Sequence, residues 1–295
     1  MPSDAPPLAP TALGFPGQGG DWRSAIRTLA AHPTDEAVQA VAAVLGTDRW
    51  DELDERDTRI AQPVIVAAGL AASASLDRTA FGATVGHSLG EITASAAAGA
   101  LTPTQAVELA ALRAQLGHRC HDARPGAMAA IMKLRVDQVE WLRRTVLADH
   151  DGILEIAVAN SPTQHVLSGD RALLEAAATA AEQTGGVVRH LPIGGAFHSP
   201  RMAPAVAELT AAAADVLRDP ACPVVLSTWA EPVRAADVLA ERLGRSLVLP
   251  VEWSATLGTL VGLGIDQLVD AGPGDTLVRL ARHLPGPATR VIEAP

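Results

Sequence analysis

Ser88 lies in Gly86-His87-Ser88-Leu89-Gly90, between the apolar run "FGATV" and the small helix-forming residues Ala94 to Ala98. Gly-x-Ser-x-Gly arises by chance, so two readings stand: a serine capping an ordinary helix, or a nucleophile on a tight strand-to-helix turn. The second would be covalent catalysis through an acyl-serine. The flanking glycines let such a turn close, and the helix dipole favours negative charge developing at the hydroxyl. The Leu89 N–H, directly after the serine, is one oxyanion donor. A second must come from another loop, and the Gln18 N–H in the Gly-rich turn "FPGQGG" is the natural candidate.

A serine nucleophile needs a base, and the chain has nine histidines. His87 is adjacent in sequence and should point away from the Ser88 hydroxyl. His118, Cys120 and His121 in "HRCHD" read either as metal ligands or, the commoner case, as a polar helix end. His198 sits in a Gly-rich loop just before a helix, where an imidazole can face a cleft. Arg113 stands four residues after Leu109 and three before Leu116, on the apolar stripe of a helix. An inward guanidinium needs an anion, either an internal carboxylate or a ligand's.

The elements that must position these groups are legible in outline. "TALGFPGQGGDW" is a short strand, Ala12 to Phe15, breaking into a turn. Helical patterns follow at 35–45 and 61–75, and "FGATVGHS" is a strand entering the Ser88 turn. Gly99 falls where a helix C-cap belongs. Thr102, Pro103 and Gln105 then spell an N-cap, a first-turn proline and a capping box. From Gly126 the order strand, helix, strand, strand, helix, strand over about 65 residues predicts a ferredoxin-like unit. Ser199 and Pro200 repeat the N-cap and proline start, "CPVVLST" is a buried strand, and "IDQLVDAGPGDTLVRLARHL" is strand, turn and helix. The fold class expected is α/β: a large domain from 1–125 and 193–295, with a small subdomain at 126–192 inserted in it.

Composition bounds the function. At 295 residues and 48% hydrophobic content the chain can bury a large core. A net charge of −10 argues against a general nucleic-acid binder. No apolar run approaches the roughly 20 residues of a membrane span. The Pro-rich leader "MPSDAPPLAP" is unlike a signal peptide, and Cys120 and Cys222 form no disulfide framework. A cytoplasmic enzyme is expected.

The motifs "FPGQG", "AQPVIVAAGLA", "GHSLGE", "ALRAQLG" with "PGAMAAI" behind it, "VANSPTQHVLSGD", "GAFHSPRM", "LVLPVEW" and "DAGPGDTL" occur in that order. Together they resemble the malonyl-CoA:acyl carrier protein transacylases and the acyltransferase domains of polyketide synthases, over nearly the whole chain from Phe15 to about Leu284. The resemblance implies an α/β-hydrolase-like core with an inserted ferredoxin-like βαββαβ subdomain. It implies Ser88 as acyl-enzyme nucleophile, His198 as its base and acid, and Gln18 and Leu89 as oxyanion donors. Arg113 matches the arginine that holds a malonyl-type carboxylate, while Gln62, Asn160, Phe197 and His87 match positions around the substrate. No carboxylate stands behind the histidine in this family; a backbone carbonyl orients it, and the matching position is Ser246, where Gln or Asn is usual.

The reaction implied is ping-pong, from acyl-CoA to Ser88 and on to the phosphopantetheine thiol of an acyl carrier protein. It involves no metal or other cofactor, nucleic acid or membrane, and is expected of a monomer. Gly195-Ala196-Phe197-His198 stands where malonyl-selective domains carry His-Ala-Phe-His. Bulky Phe197 should therefore crowd a C2 methyl, whereas Gly195 opens space for a larger acyl group. A shuttle or editing enzyme for longer acyl chains is the alternative, and Arg113 counts against it, because a monoacyl chain would leave that charge unpaired. A plain esterase would need an acidic triad partner and a late histidine, for which His283 is the one candidate. Beginning and ending at the catalytic unit, the chain reads as a discrete enzyme acting in trans. Arg279, Arg282 and His283, or Arg119, Arg124 and Arg201, are the candidate basic groups for an acidic carrier protein.

Overall fold

The protein is described by a computed structural model covering residues 9–282 and 284–291. The proline-rich leader up to residue 8 and His283 lie outside the described residues, so the roles suggested for His283 have no structural counterpart here.

The large sheet has six strands in the order β11-β10-β1-β2-β7-β8. Its centre is β1 (Thr11–Phe15) beside β2 (Ala83–Gly86), flanked by β10 (Gln267–Asp270) and β7 (Val224–Leu226). All are parallel except the edge hairpin of β7 with β8 (Glu231–Val233); β11 (Ala288–Val291) forms the other edge. Strands β1 and β2 read as continuous apolar runs because helices cover both faces of such a sheet. Their carboxyl ends deliver the "FPGQGG" turn and the Ser88 turn side by side, which is where ligands bind in open α/β sheets.

Three helices carry the other side of the site. Helix α3 (Thr58–Ser73) tolerates an internal Pro63 and is buried along most of its length. Helix α4 (Gly90–Ala97) follows the Ser88 turn and is wholly buried, which its small side chains permit. Helix α5 (Pro103–Ala123) opens on the predicted capping box and has Arg113 on its buried face. Two further helices, α1 (Trp22–Ala31) and α2 (Glu36–Leu45), precede them.

The small sheet is β6-β3-β5-β4-β9. Its first four strands, β3 (Gly126–Met132), β4 (Leu154–Ser161), β5 (Gln164–Asp170) and β6 (Val187–His190), are antiparallel. With α6 (Val136–Asp149) and α7 (Arg171–Gln183) they give the ferredoxin-like order read from the sequence. Their own apolar cluster, with Ile131, Leu142, Leu167 and Leu174 at its centre, is separate from the main core. The fifth strand was not foreseen. β9 (Val251–Glu252), from "LVLPVEW", adds in parallel to β4 and so ties the late part of the chain to the small sheet. After β6 the chain runs through the histidine loop, a 3-10 turn at Pro200–Met202, and α8 (Ala203–Val216), which packs on α5 and on α9 (Ala236–Arg245), before it reaches β7. Helices α10 (Trp253–Gly262) and α11 (Thr276–Ala281) follow α9.

Candidate active site

Ser88 adopts φ +54°, a left-handed conformation that is strained for a residue with a side chain. The two glycines make the turn sterically possible. A Cβ on Gly86 would lie 2.2 Å from the Glu91 amide nitrogen, and one on Gly90 would lie 2.1 Å from the Phe15 carbonyl oxygen. The turn is held by backbone bonds from His87 N–H to Phe15 O and from Glu91 N–H to Ser88 O. Among the described residues the Leu89 and Gln18 N–H groups have no acceptor, so both can donate to a ligand.

His198 is also left-handed, at φ +59°. Its Nε2 lies 2.6 Å from Ser88 Oγ and its Nδ1 2.9 Å from the Leu249 carbonyl. A carbonyl only accepts, so Nδ1 carries the proton and Nε2 accepts from the serine O–H. The loop is pinned twice more: the His198 N–H donates to Leu247 O, and Ser168 Oγ on β5 donates to Phe197 O at 2.7 Å. Leu249 therefore replaces Ser246 as the residue whose carbonyl orients the ring. Ser246 ends α9 in helical geometry, and its hydroxyl folds back onto Leu243 O. Its carbonyl adds only a smaller stabilisation of the imidazolium than Leu249 does. The tight turn after the helix, closed by Leu247 N–H to Gly244 O and Val248 N–H to Arg245 O, brings Leu249 to the imidazole. With a backbone carbonyl behind His198, the acidic partner that an esterase triad requires is not there.

Burial, and next the positive charge of Arg113, push His198 down from 6.5 to about 3. The imidazole is thus neutral and free to accept a proton at neutral pH. Arg113 is 4% exposed. It donates to Gln62 Oε1 at 2.8 Å and weakly to Ser88 Oγ at 3.4 Å, and it stacks over the Phe197 ring 4.8 Å from its centroid. Burial lowers it to about 10, so it stays cationic, and the charge that chiefly opposes this shift is Glu91. Among the described residues no carboxylate forms an ion pair with Arg113. A buried cation beside the serine with no carboxylate in direct contact can take one from a ligand.

These groups line one cleft of about 600 Å³ between the two sheets. Gln62, Asn160, Phe197 and His87 line it too, as do Gln18 and Leu89; Ser246 does not. His87 turns from the Ser88 hydroxyl as expected and donates through Nε2 to Asn160 Oδ1 at 2.9 Å. The "HRCHD" segment shows a His118–Asp122 contact of 3.4 Å, and among the described residues no group of ligands suits a metal. Of the candidate basic groups, Arg119 pairs with Glu208 and Arg201 with Asp170. Arg279 pairs with Asp275 but also lines the cleft.

Two hydrogen-bond networks escaped the sequence reading. Gln62 donates to Gln18 Oε1, and Gln18 donates to Thr58 Oγ1. Thr58 Oγ1 also accepts from the Gly194 N–H, so the arginine, the Gly-rich turn and the histidine loop form one network. On the far side of the serine, Ser227 Oγ accepts from the Ser88 N–H and donates to the buried Glu91. Only Glu91 left a signal, as a lone acid among small apolar residues. Thr58, Ser168 and Ser227 are ordinary hydroxyls whose partners lie far away in sequence.

Comparison with known proteins gives a consistent family. The acyl transferase domain family matches residues 15–282. A malonyl CoA-acyl carrier protein transacylase of Mycobacterium bovis is 33% identical, over 96% of this chain and 96% of its own length. A crystal structure of malonyl-CoA:acyl carrier protein transacylase from Xanthomonas oryzae pv. oryzae superposes with a TM-score of 0.88. It is 28% identical and is matched over 98% of this chain and 96% of its own. A malonyl-transacylase solved in complex with its type II polyketide synthase acyl-carrier protein gives a TM-score of 0.81 at 26% identity, over 97% of this chain and 96% of that one.

Proposed function

The chain belongs to the acyl transferase domain family, and on that footing we propose how its cleft moves a malonyl group from coenzyme A to the phosphopantetheine thiol of an acyl carrier protein. The observation that carries the reading is the unpaired, buried Arg113 guanidinium 3.4 Å from the hydroxyl of a serine that a neutral histidine already holds.

In the first half-reaction the Ser88 proton passes to His198 Nε2 as Oγ attacks the thioester carbon. The oxyanion sits between the Leu89 and Gln18 N–H groups, each worth roughly 3 kcal/mol in such a role. Collapse expels the coenzyme A sulfur, which takes the proton back from His198. In the second half the carrier thiol gives its proton to His198 and attacks the serine ester, and Ser88 recovers its proton as it leaves. The malonyl carboxylate is held by Arg113, with Gln62 fixing the guanidinium plane. Binding it also cancels the positive charge that, after burial, most depresses His198. The base is consequently stronger in the malonyl-enzyme than in the free enzyme, when the weakly acidic carrier thiol must be deprotonated.

The reading supposes a monomer that works in the cytoplasm, where a coenzyme A thioester donor is at hand. Of the basic groups named as docking candidates, Arg279 is the one that lines the cleft, and it is assigned to meet the phosphopantetheine arm of an acidic carrier.

The test is intact-protein mass after brief incubation with malonyl-, methylmalonyl-, acetyl- and a medium-chain acyl-CoA, with Ser88→Ala alongside. A malonyl adduct that Ser88→Ala loses, with little acetyl adduct, is the expected result. A lasting acetyl or medium-chain adduct without malonyl would overturn it in favour of an acyl shuttle or editing enzyme.

A further inference from the structure

Gly117 lies in the interior of the 21-residue helix α5, where glycine is a poor helix former. The packing around it accounts for the glycine. It stands one turn after Arg113, so the two share a face of the helix. A Cβ on Gly117 would lie 2.4 Å from Cζ, 2.8 Å from Cε1 and 3.4 Å from Cε2 of Phe197. The tip of the Phe197 ring therefore occupies the space that any side chain at 117 would take. Arg113 covers the ring face, and the Phe197 carbonyl is tied to Ser168. The ring is thus wedged between a guanidinium, a helix backbone and a pinned loop.

We propose that Gly117 is a specificity-determining residue, because the notch left by its missing side chain sets how far the Phe197 ring withdraws from the acyl site. Phe197 and Arg113 line the cleft together, so an acyl group whose carboxylate rests on Arg113 has C2 beside that ring. Bulk at 117 drives the ring tip by about 1 Å, the distance from overlap to ordinary contact, into the space that C2 and its substituents use. Phe197 alone, as read from the sequence, does not fix the acyl size. The Phe197–Gly117 pair does, and only with glycine at 117 can so bulky a ring stand next to the arginine. The inference rests on the dicarboxylic reading of the site.

The experiment compares kcat/KM for acyl-enzyme formation from malonyl-, methylmalonyl- and ethylmalonyl-CoA in four proteins: wild type, Gly117→Ala, Phe197→Leu and the double variant. Gly117→Ala should lower malonyl transfer and raise the malonyl-to-methylmalonyl ratio about tenfold, within the range one methyl group commands. Phe197→Leu should lower that ratio. In the double variant the shorter side chain leaves room for the added methyl, so malonyl transfer should return to within about threefold of Phe197→Leu. An unchanged ratio in Gly117→Ala would overturn the proposal, as would penalties that simply multiply in the double variant. If Gly117→Ala does not fold, the comparison of Phe197→Leu with the double variant still decides. Wild-type protein that takes no malonyl group would sink the dicarboxylic reading instead, and ethylmalonyl- or monoacyl-CoA series would then test the notch by the same ratios.

Discussion

Ser88 and His198 meet at 2.6 Å, and both hold left-handed backbone, yet the two are strained by different means. The serine turn is enforced locally: Gly86 and Gly90 sit against backbone that no Cβ could approach, within a few residues of Ser88. The histidine loop is enforced from a distance, by Leu247 and Leu249 on one side and Ser168 on the other. A local device writes itself into a motif; a distributed one leaves three unrelated residues. Substitutions should therefore behave differently in the two regions.

The largest effect falls at the serine itself. Ser88→Ala should lower malonyl transfer by about 10⁴–10⁶-fold, with no loss of stability. Ser88→Gly should be equally inactive but more stable by about 1 kcal/mol, since glycine adopts φ +54° without strain. Thermal melts of the two variants side by side check this. Equal melting temperatures would mean that the turn stores no strain, and the contrast with an ordinary helix start would fail.

Next comes the steric frame of that turn. Gly90→Ala places a Cβ 2.1 Å from the Phe15 carbonyl oxygen, which is strand backbone and cannot swing aside. The expected loss is about 3 kcal/mol in urea unfolding, at the upper end for overpacking. A loss below about 1 kcal/mol would show that β1 and the Ser88 turn are less rigidly joined than their hydrogen bonds indicate.

This contrast also explains how much was legible beforehand. Ser88, the capping box at Thr102 and the inward face of Arg113 each depend on residues within one or two turns, and the sequence carries them openly. The ferredoxin-like order was readable because its elements are consecutive. By contrast, β9 joining the small sheet, Leu249 rather than Ser246 behind the imidazole, and Ser168 beneath Phe197 are pairings across 29 residues or more. Side-chain type says nothing about a carbonyl acceptor, since every residue has one. The left-handed backbone at His198 was equally hidden, because it falls on the histidine itself and not on a glycine.

Breaking the distributed device should hurt less and hurt differently. Ser168→Ala leaves the buried Phe197 carbonyl without its donor, costing about 1–3 kcal/mol of stability. The loop carrying His198 then loosens, and kcat should fall by about ten- to a hundredfold while KM for malonyl-CoA changes little. The split separates positioning from binding. If KM rose as much as kcat fell, Ser168 would be acting on the acyl pocket rather than on the base.

The smallest effect separates the two regions by pH. Each buries a titratable group in its neutral form, and the groups are of opposite kind. Beneath the serine turn, burial pushes Glu91 up from 4.5 to about 7, against donors from Thr228 and Ser227 and the charge of Arg113. Below 4.5 both the folded and unfolded chains hold that proton. As pH rises to 7, only the folded chain keeps it, and stability falls through that window. At the loop, His198 is depressed from 6.5 to about 3, so the unfolded chain gains a proton first as pH drops below 6.5, and stability falls in the other direction. Glu91→Gln keeps an acceptor for Ser227 and Thr228 but cannot ionise. Its stability, followed by urea midpoint from pH 5 to 8, should lack the wild-type decline toward neutrality while retaining the decline toward acid. Parallel curves for the two proteins would mean that Glu91 is already ionised at pH 5, and that the serine turn rests on a buried carboxylate rather than on a carboxylic acid.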